Sequence, residues 1–180
     1  MVWTLFSAEN EIEGDVIISY GDIVYSKEIL QELLKSKADI AVTIDKDWES
    51  YWRARNEDPL DDAETLKLDP KGSILEIGQK PKSLSEIEGQ YMGLIKLSSK
   101  GSIQLKSIFK NLFDNTEFMN DKSVENAHMT DLLQVLINKK VPVQSVPIFA
   151  GWIEVDTVSD LKSLITSTRL KKMDNLIETN

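Results

Sequence analysis

A chain of 180 residues, 41% hydrophobic and 28% charged, is long enough for one domain with its own core and too apolar to stay disordered. It has no cysteine and a formal net charge of −9, which excludes disulfide scaffolds, thiolate metal sites and cysteine nucleophiles and disfavours binding to nucleic acid or anionic membrane. No apolar run reaches the roughly 18 residues that a membrane span needs, and Met1-Val-Trp-Thr-Leu-Phe6 has no basic stretch before it, so the expectation is a cytoplasmic protein without a signal peptide.

In chain order, Val2, Leu5, Phe6 and Ile12 are spaced loosely as in a helix over residues 2–13. Asp15-Val-Ile-Ile-Ser-Tyr20, bounded by Gly14 and Gly21, reads as a short buried strand. Ser26 is placed to cap a helix through Lys35, with Glu28 in its first turn and Ile29, Leu30, Leu33 and Leu34 on one face. Asp39-Ile-Ala-Val-Thr-Ile44 is a second buried strand. A strand–helix–strand order with both strands apolar throughout predicts a parallel sheet covered by helices.

The pattern then changes. Glu64–Asp69 and Ser73–Ile77 alternate around the turn Asp69-Pro-Lys-Gly72, which predicts a hairpin. Gln90–Leu97 is a further strand; helices are expected at 99–113 and 128–139, strands at Val143–Phe149 and Trp152–Val155, and a last helix from about Ser159. The sum is an α/β domain with a mixed sheet over residues 1–168, followed by a polar tail over 169–180 whose end is expected to fray.

Three places can carry chemistry. Asp22 follows a strand end at Tyr20-Gly21, and in open α/β sheets ligands gather beyond the carboxyl ends of the strands. A carboxylate there suits Mg2+, a hard cation that prefers oxygen and bridges to phosphates, although a turn or cap aspartate looks the same in sequence. Asp156 likewise ends an apolar strand and precedes a helix. The third place is Asp45-Lys-Asp-Trp-Glu-Ser-Tyr-Trp-Arg-Ala-Arg55, where Trp48, Tyr51 and Trp52 share one helical face. Those rings could surround a quaternary ammonium while Arg53 or Arg55 holds a phosphate, or they could staple an insertion onto the sheet. Asp61, Asp62 and Glu64 form a carboxylate cluster that is either an exposed loop face or a support for those arginines. His128, the one histidine, has no cysteine or serine elbow near it and reads as structural. No Walker A or G-x-G-x-x-G motif occurs.

Together these segments resemble the nucleoside-triphosphate transferase (nucleotidylyltransferase) family, and within it the bacterial phosphocholine cytidylyltransferase-like and phosphonate-associated members. The resemblance rests on Asp15-Val-Ile-Ile-Ser-Tyr-Gly-Asp-Ile23, on Trp52-Arg-Ala-Arg-Asn-Glu-Asp-Pro-Leu-Asp-Asp-Ala-Glu64, on Gly89-Gln-Tyr-Met-Gly-Leu94, and on Gly151-Trp-Ile-Glu-Val-Asp-Thr157 with Asp160-Leu161. It implies a Rossmann-like, mainly parallel mixed sheet with helices on both faces, of the nucleotide-diphospho-sugar transferase type. It also implies a reaction, in which an acceptor phosphate or phosphonate attacks the α-phosphorus of a nucleoside triphosphate and pyrophosphate leaves. By position Asp22 and Asp156 match the family's Mg2+-binding aspartates, and Lys80-Pro81 looks like a pair found near the acceptor. Tyr20, Tyr91, Trp152 and Glu154 lie in the matching stretches and complete, with Trp48, Tyr51, Trp52, Arg53, Arg55 and Lys80, the expected substrate-binding set.

The sequence departs from that family in one respect. Members begin with a strand and a loop of the form Leu-Ala-Ala-Gly-x-Gly-x-Arg that holds the triphosphate, and these 180 residues contain no such stretch. The expectation is an N-terminally truncated domain, inactive alone, whose open sheet edge a second copy could cover. The alternatives are a non-catalytic acceptor-binding module and, last, a metal-dependent glycosyltransferase, which would carry a D-x-D motif where Asp22 is followed by Ile23 and Val24.

Overall fold

The computed structural model describes residues 1–114 and 122–178. Its strands are β1 (Val16–Ser19), β2 (Ile23–Tyr25), β3 (Ile40–Asp45), β4 (Leu66–Leu68), β5 (Ile74–Ile77), β6 (Gln90–Leu97), β7 (Gln144–Ile148) and β8 (Trp152–Glu154). The helices are α1 (Val2–Phe6), α2 (Lys27–Lys35), α3 (Trp48–Arg55), α4 (Ser99–Asp114), α5 (Met129–Asn138), α6 (Val158–Lys162) and α7 (Leu164–Glu178). Among the described residues no helix is long and apolar enough to cross a membrane.

The main sheet has the order β1-β6-β3-β7. β6 runs antiparallel to both of its neighbours, and β3 pairs in parallel with β7. Three of the four strands therefore share one direction, with β6 inserted against them. β3 is buried along its whole length, and successive residues of a strand face opposite sides. Ile40, Val42 and Ile44 pack with Val2 and Phe6 of α1, Leu105 and Phe109 of α4, and Leu132 and Leu136 of α5. Ala41 joins the opposite cluster with Leu33 of α2, the aromatic residues of α3, Trp152 of β8 and Met173 of α7. The two half-cores follow from the pleat of one strand, which is why helices cover both faces.

Two small ladders flank this sheet. β4 and β5 form the expected hairpin, its turn held by the Asp69 carboxylate, which accepts from the amides of Lys71 and Ser73 at 2.7 and 2.8 Å. β2 and β8 pair antiparallel, Ile23 opposite Glu154.

Four expectations need correction. β1 is not a buried strand but an edge strand, half exposed in alternation with Ile17 open to solvent, because only β6 pairs with it. Leu34 lies off the buried face of α2, where Ile29 and Leu33 do the packing. Ser26 stands at the N-cap of α2, but its side chain accepts no hydrogen bond from the backbone amides of the helix and bonds the Glu28 carboxylate instead. Residues assigned to a polar tail continue as α7, with Arg169 and Met173 buried against the core.

Candidate functional site

The β2–β8 ladder does the first piece of assembly. With Ile23 opposite Glu154 and the Val155 amide donating to the Asp22 carbonyl at 3.0 Å, the backbone at Asp22 lies beside Val155, the residue before Asp156, and both carboxylates act on the Glu154 charge. The second piece is a bulge in β6, where its register with β3 shifts between Val42 and Ile44. Gly93 lies there at φ +84°, and a Cβ on it would meet the Tyr20 ring at 2.5 Å. The bare backbone lets Tyr20 lie across β6, its amide donating to the Gly93 carbonyl at 2.9 Å and its ring meeting Tyr91 edge to face at 5.7 Å.

Between these pieces is a cavity of about 220 Å3 bounded by Tyr20, Trp52 and Tyr91 and by the carboxylates of Asp62, Glu64, Glu154 and Asp156, with His128 and Thr130 at its wall. A second space of about 310 Å3 shares Met1 and Tyr20 with it and extends past Gly21 and Asp22. A third, of about 250 Å3, shares Asp62, Glu64 and His128 and reaches Lys80 and Lys122. Shared lining residues make the three neighbours along a groove from Asp22 to Lys80.

The groove is acidic and partly desolvated. Burial raises the Glu154 carboxyl, and the nearby Asp156 and Asp22 add to the rise while Arg55 opposes it. Burial also raises Glu64, against a hydrogen bond that Thr130 Oγ1 donates at 3.3 Å. Burial lifts both phenols, Tyr20 and Tyr91, above their ordinary value, so both keep their proton as donors at neutral pH. The indole N–H of Trp52 is buried without a hydrogen-bond partner among the described residues, and Trp52 lines the cavity.

The donor set suits a divalent ion only in part. Among the described residues no three His, Cys, Asp or Glu side chains gather to hold a metal, and Asp156 Oδ2 is engaged by Arg55 at 2.6 Å. Mg2+ is commonly held by one or two carboxylates with water and substrate phosphate completing the shell. By donor chemistry Asp22 and the remaining Asp156 oxygen are carboxylate oxygens of that kind.

Several expected ligands are committed elsewhere. Arg55, almost fully buried, places its guanidinium on Glu154 at 2.8 Å, Asp156 at 2.6 Å and Asp160 at 3.2 Å, so it braces the carboxylates and does not await a phosphate. Arg53 pairs with Glu49 at 2.6 Å on the outer face of α3. Trp48 and Tyr51 are core residues; the Tyr51 hydroxyl donates to the Glu154 carbonyl and accepts from its amide. Its ring, fully buried, carries Arg169 at 4.0 Å and Arg55 at 5.3 Å, which closes it to a ligand ammonium. Trp152 is fully buried and donates its indole N–H to Asp45 Oδ2 at 2.8 Å. Lys80 reaches the third cavity while its ammonium donates to the carbonyl of Asp61 at 2.7 Å. Trp52, Tyr20, Tyr91, Glu154 and Asp156 line the central cavity, and Asp22 the adjoining one.

Glu64, Thr130 and His128 at the cavity wall are outside the set inferred from sequence. Glu64 is drawn inward by long-range pairing: its amide donates to Gln90 Oε1 at 3.3 Å, and Gln90 Nε2 donates back to its carbonyl at 2.6 Å. No local spacing announces such a contact.

No family model matches the chain. Over 168 residues it is 39% identical to the CTP:phosphoglutamine cytidylyltransferase of Campylobacter jejuni, a match covering 90% of this chain and 66% of that relative. Among solved structures it is similar to the inositol-1-phosphate CTP transferase from T. maritima, with a TM-score of 0.66 and 16% identity over 94% of this chain and 60% of that one. The second likeness speaks for the fold alone and agrees with the sheet described above. From the first, over nine-tenths of its length, the chain belongs to the nucleotidylyltransferase family.

Proposed function

We propose that this chain carries the acceptor and metal side of a cytidylyltransferase, moving CMP from CTP to a small phosphorylated acceptor. The observation that supports it is the placing of Asp22 and Asp156 close enough to Glu154 for both charges to act on it, with Asp156 lining the central cavity and Asp22 the adjoining one, in a chain 39% identical to a CTP-dependent enzyme. In this reading Asp22 and Asp156 hold Mg2+, which when bound neutralises charge on the reacting phosphates. Arg55 holds Glu154 and Asp156 in place, and Tyr20, Tyr91 and Trp52 supply uncharged donors for the acceptor's oxygens. A choline-type acceptor loses its main support, since the ring of Tyr51 already faces two arginines. A phosphorylated amide such as the phosphoglutamine named for the relative matches the uncharged donors of Tyr20, Tyr91 and Trp52 better.

The test is pyrophosphate release from CTP and Mg2+ with phosphoglutamine or phosphocholine, run beside calorimetric binding of each acceptor. Phosphoglutamine is expected to bind and to be the better acceptor, with slow turnover by these 180 residues, whose sequence holds no glycine-rich triphosphate loop. Asp22→Asn is expected to lower turnover by about a hundredfold or more without shifting the melting temperature. If neither acceptor binds and no pyrophosphate appears, the proposal fails.

A further inference from the structure

Four carboxylates border the central cavity, and their partners differ. Glu154 and Asp156 share Arg55. Glu64 lines both the central and the Lys80-side cavities and is half-buried, and its carboxylate accepts one hydrogen bond, from Thr130 Oγ1. No lysine or arginine among the described residues forms an ion pair with it; Lys122, whose charge acts on it, is paired with Asp131 at 2.8 Å. Asp131 and Asp62 add negative potential at Glu64. A carboxylate withdrawn from water is ordinarily matched by a cation, and here the position of the cation is open space large enough for a small molecule. The same cavity wall contains the buried, unpartnered indole N–H of Trp52, which can only donate and therefore calls for an acceptor atom beside the cation.

We infer that Glu64 is the specificity residue for a primary ammonium on the acceptor, so that the preferred acceptor carries both a phosphoryl group and an amine. The inference rests on the acceptor-site reading above and adds the charge pattern of the molecule that fills it. A quaternary ammonium would satisfy the charge but not the hydrogen bond, and an analogue lacking the amino group would satisfy neither.

Calorimetric titration of the 180-residue chain, free of divalent metal, decides it. Phosphoglutamine and its analogue lacking the α-amino group are each titrated into the wild-type chain and Glu64→Gln, with thermal melts confirming that both are folded. The wild-type chain is expected to bind the amine-bearing compound about tenfold more tightly, and Glu64→Gln to reduce that preference to within about twofold by weakening the amine-bearing compound alone. Equal binding of the two compounds by the wild-type chain, or a preference that survives in Glu64→Gln, overturns the inference while leaving the acceptor site standing. Failure of both compounds to bind the wild-type chain overturns the acceptor-site reading, and this inference with it.

Discussion

Arg55 and Glu64 are opposite solutions to the same difficulty, a charge taken partly out of water. Arg55 makes three ion pairs, on Glu154, Asp156 and Asp160, and its cation lies against the rings of Tyr51 and Trp52. Replacing it by Met leaves three carboxylates facing one another, and a loss of about 3 kcal/mol is expected in urea unfolding. Arg55→Lys is expected to recover only part of this, since one ammonium cannot serve three partners in a planar fork. Glu64 has no such counter-ion among the described residues. Its raised carboxyl means that the folded state holds the proton more tightly than the unfolded chain does, so its cost is absent below the ordinary value of 4.5 and complete once pH exceeds the folded value. Glu64→Gln is therefore expected to raise the melting temperature of the ligand-free chain at pH 7.5, by on the order of 2 °C, and to leave it unchanged at pH 4. A lower melting temperature at pH 7.5 would show that Glu64 has a structural partner.

At the scale of elements, two glycines set how closely strands and helices approach. Gly93 forms the β6 bulge under Tyr20, and Gly93→Ala brings both a left-handed backbone at φ +84° and a 2.5 Å clash with the ring. The expected result is a destabilisation of about 2–4 kcal/mol, together with weaker acceptor binding as Tyr20 is pushed from the cavity. Gly101, in the first turn of α4, lets that helix sit on the start of β3; a Cβ there would lie 2.0 Å from the Asp39 carbonyl. Gly101→Ala cannot be relieved by a rotamer change, because the obstacle is backbone. Its effect is expected on stability and not on acceptor affinity once the chain is folded, which separates it from Gly93→Ala in the same binding assay. Asp45 links elements in another way: its carboxylate accepts from the amides of Asp47 and Ala150 and from the indole of Trp152. It thereby ties the end of β3 to α3 and to the β7–β8 turn.

For the whole molecule, the titrating groups divide into two sets that predict a stability maximum in mild acid. Glu64 and Glu154 are raised by burial, so stability increases as pH falls through their folded values above 4.5. Asp39 is lowered by hydrogen bonds from Lys100 and Ser98. In Asp160 burial acts upward but is outweighed by bonds from Thr157 and Arg55. These two contribute stability that is lost as pH falls through their folded values below 3.8. The net charge of −9 also diminishes on mild acidification, in the same direction as the first set. Melting temperature followed from pH 8 to pH 3 is expected to rise, peak between about 4 and 5, and fall; a maximum at pH 7 or above would contradict the assignment of Glu64 and Glu154 as uncomfortable in the fold.

Sequence alone determined the features that depend on neighbours in the chain. The apolar run of β3, the helix over 27–35, the Asp69–Gly72 turn and β6 are visible because periodicity and turn chemistry are local, and Asp22 and Asp156 stand out as carboxylates at strand ends. Tertiary structure decided which polar groups face each other. The helical spacing of Trp48, Tyr51 and Trp52 is the same whether their rings enclose a ligand or a core, and packing against Trp152, Arg55 and Arg169 decided for the core with only Trp52 reaching the cavity. Arg55 could grip a phosphate or brace carboxylates, and the β8–α6 segment brought three carboxylates to it. Glu64 looked like one member of an acidic loop until Gln90 drew its backbone inward. A side chain's charge is written in the sequence, but its counter-ion and its access to water depend on residues far along the chain that only the fold brings near.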